Sequence, residues 1–326
     1  MNLRSVKHAV KRTFSSPWGW RILGPMLRAP GVIVLMYHRI QGEDRSYTGL
    51  PVDTFAAQMG WLRDTCDPIA PEALADRVRG RRSARPAVLV TFDDGYRDYH
   101  DLAYPVLKRH GIPALVFLAT SFLDEGGVIW TDRVQWAVLS TTRDRVKLPW
   151  SDGPAIGITD ENARAALGER VRDHLKTLPD RERRAGVEAL LTELGDPPPR
   201  ERQMLTWNEV RDTMDLTRYG GHSHTHPILS RLDREQAVYE IRTCRDRIAD
   251  ETGRVPTTFA YPNGRPADYT RETQEILKSH GFTVAFATSE GIAGADTDWM
   301  AVERLPGDAT DIPDFAWIAA GLSRAP

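Results

Sequence analysis

Cysteine is nearly absent from this chain. Its 326 residues hold two, Cys66 and Cys244. Two cysteines build neither a disulfide framework nor a thiolate-rich zinc site, so any bound metal must be held by histidine and carboxylate. Long hydrophobic runs are missing too. The longest, such as Val32–Tyr37 and Ala114–Ala119, fall far short of the roughly 20 apolar residues that a spanning helix needs. Net charge is equally scarce: 43 Lys and Arg against 45 Asp and Glu leave −2. That excludes a globally basic nucleic-acid binder, and nucleic acid is not an expected partner. Hydrophobic residues at 41% and charged residues at 27% are the mix of a globular chain with a sizeable core.

One absence is local. Residues 1–42 contain Arg4, Lys7, Lys11, Arg12, Arg21, Arg28 and Arg39, and the first acid is Glu43. Trp18 and Trp20 lie in the same stretch. A basic, aromatic, acid-free arm over residues 1–30 can be an organellar transit segment, a membrane-surface contact through residues 1–28, or a plain N-terminal helix. It lacks the apolar centre of a secretory signal. The expectation is a cytoplasmic protein, peripheral at the inner membrane face if the arm meets lipid. Oligomeric state is not legible.

The remainder alternates short β-branched apolar runs with helical patterns. Gly31–Tyr37, Ala87–Phe92, Ile112–Ala119, Leu216–Gly221, Thr257–Tyr261 and Phe282–Ala287 read as strands. Residues 53–64, 71–79, 102–110, 234–251 and 271–280 read as helices. This spacing argues for parallel βαβ units, in a barrel or a doubly wound sheet. Between about 122 and 202 the pattern breaks into a Trp-bearing stretch, a Gly/Pro loop at 151–157 and charged helices at 160–176 and 180–194. That region reads as an insertion packed beside a core spanning 31–320.

Three segments fall where strands should end, which is where α/β enzymes place their chemistry. In Thr91-Phe92-Asp93-Asp94-Gly95-Tyr96, two adjacent carboxylates need a positive partner to be held close; Asp-Asp-Gly is also good turn chemistry. In Gly221-His222-Ser223-His224-Thr225-His226-Pro227, His222 and His226 are four apart, so on a helical turn they share one face and can bind one metal. His224 then points elsewhere. One Asp and two His leave an open position, as catalytic zinc sites require. In Phe259-Ala260-Tyr261-Pro262-Asn263-Gly264, Pro and Gly let the backbone approach a ligand with a free N–H at Asn263.

Taken together and in this order, these segments resemble the polysaccharide deacetylases of the NodB-homology class, carbohydrate esterase family four. The resemblance covers about residues 31–120 and 205–306. The LMYHRI start and the FAYPNG segment look like a bacterial branch acting on surface or exported glycans. The resemblance implies a distorted (β/α)7 barrel carrying the helical insertion. It implies a divalent metal, zinc first with cobalt or nickel as alternatives, held by Asp94, His222 and His226. Asp93 would be the general base, and the Asn263 N–H would hold the oxyanion. Two departures stand out. Many members carry an Arg, which orients the base, at the position of Ala260; Arg304 is the candidate replacement. Many also carry a late Leu-x-His whose His protonates the leaving amine. No His follows His280 here, so His38, at the end of the first strand, is the candidate acid.

The function implied is removal of N-acetyl groups from the amino sugars of a glycan or a lipid-linked sugar precursor. Alternatives are a cyclic amide or imide hydrolase on a small nitrogenous substrate, and a glycan-binding module with a degenerate site. A pocket closed by the insertion would favour the small substrate, and an open groove the glycan. Trp130, Trp136 and Tyr96 are candidate sugar-stacking platforms. His100, His110 and His174 read as structural or exposed.

Overall fold

The computed structural model describes residues 30–43, 47–80, 85–197 and 203–322, with Lys11, Thr13, Gly19, Trp20, Ile22 and Gly24. The rest of the basic arm lies outside the described residues. Lys11 Nζ donates to Asp314 at 2.6 Å, and Trp20 is buried, its indole N–H on the Thr65 carbonyl at 3.1 Å.

Seven parallel strands form the frame: β1 (Val32–Tyr37), β2 (Ala87–Phe92), β3 (Ala114–Leu118), β4 (Thr217–Gly221), β5 (Thr258–Ala260), β6 (Val284–Phe286) and β7 (Leu305–Pro306). Their order is β6-β5-β4-β3-β2-β1-β7, and Asp67–Pro68 pairs with β2 off this path. Leu35 is in register with Leu305, while Val302, just before β7, bridges Phe286 in parallel. One short segment therefore links both ends of the sheet and curls it into a barrel. Closure through so few residues is the distortion.

The strands look uniformly apolar because both faces are covered. Period-2 alternation then sends successive residues into two different cores. Ile33, Leu35, Val88, Val90 and Val116 face outward onto Phe55, Met59 and Leu62 of the helix Val52–Thr65. Val32, Val34, Leu89, Leu115, Phe117, Ala260, Phe286 and Val302 fill the barrel interior.

Five further helices matter to the site: α1 (Trp130–Ser140), α2 (Glu161–Thr177), α3 (Asp180–Glu193), α4 (Trp207–Asp212) and α5 (Arg234–Thr252). In α5, Asp233 caps the Gln236 N–H and Gln236 returns the bond, while Gly253 at φ 67° closes the other end. The first three helices pack their own cluster, with Val134, Val138, Leu167, Val171, Leu175, Val187 and Leu190 at its centre. One stretch left unassigned in the sequence is resolved, and one local expectation needs correction. The first part of the Trp-bearing stretch is a helix, because Trp130, Val134, Ala137 and Val138 recur with helical spacing and are buried together. The 151–157 region is not all loop: Ile156–Gly157 pairs antiparallel with Arg145–Val146.

Candidate active site

The site stands at the C-terminal mouth of the barrel. His38 follows β1, Asp93 and Asp94 follow β2, His222 follows β4 and Asn263 lies just beyond β5. Among the described residues, five non-glycine positions have positive φ: Asp94, Asp196, Ser223, His226 and Asn263. All but Asp196 belong to these loops. Left-handed backbone at non-glycine positions is uncommon and is held only where surroundings over-determine it.

The β2 loop turns sharply. The Asp93 N–H donates to the Tyr37 carbonyl at 2.9 Å, and Gly95, at φ 81°, takes a conformation that side chains resist. A Cβ there would meet Leu118 Cδ2 at 2.9 Å. The turn aims both carboxylates into the mouth. Arg304 answers the first. It is fully buried, and its guanidinium makes two parallel bonds to Asp93, at 2.7 and 2.8 Å. Its Nε donates to the Ala287 carbonyl at 2.9 Å, and its charged plane lies 5.7 Å from the Phe117 ring centre. Burial pushes the Asp93 carboxyl up, and the charge and hydrogen bonds of Arg304 more than reverse this, leaving it below the ordinary carboxylate range.

Asp94 meets the histidines. Its Oδ1 lies 3.2 Å from His222 Nε2 and 3.2 Å from His226 Nε2, and the two Nε2 atoms are 3.2 Å apart. The sequence expectation of a helical turn here is wrong. Residues 222–227 form an irregular loop in which Ser223 and His226 have φ 63° and 57°. The two imidazoles converge because the loop doubles back, not because they share a helix face. A buried carboxylate organises it: Glu240, on α5, accepts the N–H groups of His224 at 2.8 Å and Thr225 at 2.7 Å, and the Thr225 hydroxyl at 2.6 Å.

This donor set fits a divalent cation. Ligands placed tetrahedrally about 2.0 Å from zinc lie about 3.3 Å from one another, close to the observed triangle. His222 Nδ1 is 2.7 Å from the Ala260 carbonyl; as a donor there it leaves the Nε2 lone pair facing Asp94. Two lone pairs and a carboxylate oxygen so close together call for a shared positive charge.

His38 is half exposed, with Nε2 3.8 Å from Asp93 Oδ2. The Asn263 N–H has no partner among the described residues, and its side-chain amide donates to Asp268. Both line a cavity of about 410 Å³ together with Asp93, Asp94, His222 and His226. Tyr96 and Trp130 line it too, whereas Trp136 lines a neighbouring cavity and His224 turns away onto Thr120 and Tyr239. His174 stacks on Trp150, outside the site.

Sequence reasoning missed several wall residues. Arg39 is sandwiched by the rings of Tyr47 and Tyr96 and donates to Asp98 at 2.8 Å. Asp132 accepts the Tyr96 hydroxyl at 2.9 Å. Arg172 and Lys176 reach in from α2. No local signal marks Asp132, Arg172 and Lys176, which α1 and α2 bring to the cavity.

The sequence profile of the polysaccharide deacetylase family matches residues 80–156 and 205–285. The chain is 38% identical over 87 residues to YxkH of Bacillus subtilis strain 168, covering 26% of this chain and 30% of that protein. It is 26% identical over 100 residues to the poly-β-1,6-N-acetyl-D-glucosamine N-deacetylase of Escherichia coli K12, covering 29% of this chain and 15% of that one. The matched stretches thus span less than a third of either relative. In fold, the chain is similar to IcaB from Ammonifex degensii, with a TM-score of 0.58 at 20% identity over 90% of this chain and 98% of that one. The chain belongs to the polysaccharide deacetylase family, and its fold is that family's distorted (β/α) barrel.

Proposed function

We propose that this protein is a metal-dependent hydrolase that removes N-acetyl groups from the amino sugars of a bacterial surface glycan or its lipid-linked precursor. One observation carries the reading. A buried carboxylate, Asp93, is kept ionised by Arg304 beside a triangle of Asp94, His222 and His226, at the floor of an accessible cavity.

A divalent cation bound by Asp94, His222 and His226, zinc being the first choice, supplies Lewis acidity, making water acidic near neutral pH and polarising a carbonyl. Asp93 takes the proton from the attacking water as general base. Arg304 holds both Asp93 oxygens in place and keeps the group ionised. The unpaired Asn263 N–H meets the negative charge that develops on the acetamide oxygen; one such donor typically contributes about 2.7–4 kcal/mol. His38 delivers a proton to the departing nitrogen as the C–N bond breaks, giving acetate and the free amine.

The shape of the site favours a chain of sugars over a small cyclic amide. The catalytic cavity shares Arg39, Thr48, Asp132 and Arg172 with a second cavity of about 690 Å³ along the insertion. The two adjoin across these side chains as a trench long enough for several sugars, with Trp136 lining the second. The direct experiment is acetate release from N-acetylhexosamine oligomers. We expect chelation to abolish release and added Zn²⁺ or Co²⁺ to restore it. Release that ignores chelation, or no release from any N-acetylated glycan, would overturn the reading.

We also propose peripheral membrane contact through residues 1–28, at the cytoplasmic face. No helix among the described residues is long and apolar enough to cross a membrane. Equal co-sedimentation with anionic vesicles by the full chain and by a chain lacking residues 1–28 would refute the contact.

A further inference from the structure

The insertion carries positive charge into the catalytic cavity that pairs with no carboxylate among the described residues. Arg172 and Lys176 are one turn apart on α2, so they share a face, and both line the cavity with Asp93, Asp94, His222 and His226. Like charges so placed disfavour the helix. The cavity carboxylates each have a partner, although Arg39 serves both Asp132 and Asp98. Asp93 is paired with Arg304, and Asp94 with the two histidines. Asp132 accepts from Tyr96, with Arg39 3.9 Å away, and Asp98 behind it takes the Arg39 Nε.

Arg172 is left donating to a neutral group, Gln135 Oε1, and Lys176 has no hydrogen bond or ion pair among the described residues. Burial lowers the proton affinity of Lys176, and Arg265, on the loop after β5, lowers it further; Asp173 and Asp268 act on it only through space. The other cations of the insertion differ. Arg133 pairs with Glu188, and Arg183 and Arg184 both pair with Asp180. Arg164 and Arg145 also lack a carboxylate, but they donate to backbone carbonyls away from the cavity; Arg172 and Lys176 are the ones that line it. Two partly buried, unmatched cations beside the reacting centre are the complement of an anion.

We propose that the substrate carries a negatively charged group next to the acetamido sugar, and that Arg172 and Lys176 bind it. This rests on the deacetylase reading above and narrows it to an anionic glycan. Phosphate of a lipid diphosphate carrier and carboxylate of a uronic acid residue share this chemistry.

The test compares acetate release from three substrates: a neutral N-acetylglucosamine tetramer, an N-acetylhexosamine on a short-chain prenyl diphosphate, and an alternating uronate–N-acetylhexosamine oligomer. At low salt, one anionic substrate should exceed the neutral one in kcat/KM by about tenfold or more, mainly through KM, as expected for charged hydrogen bonds. The preference should shrink in 0.5 M salt. Which anionic arm wins identifies the source of the charge. R172Q/K176Q should collapse the ratio, R172K/K176R should keep it, and Arg170→Gln, exposed on the same helix, should leave it unchanged. Equal use of all three substrates, or a preference that survives R172Q/K176Q, would overturn the proposal. If no substrate releases acetate, equilibrium binding of the same three ligands decides. A salt-sensitive preference for an anionic ligand would uphold the anion site while the deacetylase reading falls. No preference would overturn the site.

Discussion

Replacing Arg304 by methionine isolates the most unusual interaction in the barrel. The guanidinium is fully buried, bound to both Asp93 oxygens, and packed beneath Phe117 and Phe286. Methionine keeps much of the volume and removes the charge. Asp93, itself buried, then faces a low-dielectric interior alone. Removing one partner of a buried pair typically costs about 3–5 kcal/mol. For 326 residues the unfolding entropy is about 0.7 kcal/mol/K, so the melting temperature should fall by about 4–7 °C. The assay is thermal unfolding of the metal-free protein at pH 7.5, completed as a double-mutant cycle with Asp93→Asn. Once the carboxylate is neutral its burial penalty goes, so R304M/D93N should be more stable than R304M, and the two substitutions should not be additive.

The pH dependence has a definite sign. In the native protein Asp93 lies below its ordinary range, so its contribution is present above the unfolded pKa and lost as pH falls through the folded value. In R304M burial raises the group instead, and stability is lost as pH rises through that raised value. The deficit of the variant should therefore be largest at neutral pH and shrink toward pH 4. A melting temperature within 1 °C of the native one, or additive substitutions, would refute the argument.

Other consequences follow from the same geometry. Glu240→Ala frees three donors that fix the His222–His226 loop, and losing the partners that hold metal ligands in place weakens metal binding by about 10–100-fold; a competitive chelator titration reads it, and unchanged affinity would count against the loop's role. His38→Ala should slow acetate release by about 10²–10⁴-fold. The loss should be smaller for an acetanilide-type substrate whose amine leaves easily, and an equal loss on both substrates would contradict a proton-donor role.

The barrel was largely legible in the sequence because its strands are β-branched runs interrupted by helical spacing. Ala87–Phe92 appears in the structure with those same bounds, and the strand expected over 31–37 begins one residue later, at Val32. The closing segment was not, since Val302 and Leu305 make single ladder contacts that leave no periodic trace. In the candidate site, Asp94, His222 and His226 do come together, but through left-handed backbone that residue spacing does not reveal. Arg304 lies 211 residues from Asp93 in sequence, and only the fold shows that it is buried against that carboxylate. Arg39, Asp132, Arg172 and Lys176 owe their places to long-range packing, and no local motif announces them.

The account turns on Asp93 acting as base beside a bound metal. Its most direct measurement is acetate release by Asp93→Asn, with metal content determined on the same sample. The account predicts about one equivalent of metal retained on Asp94, His222 and His226, with turnover reduced by about 10²–10⁴-fold. Full turnover by Asp93→Asn at equal metal content would contradict it.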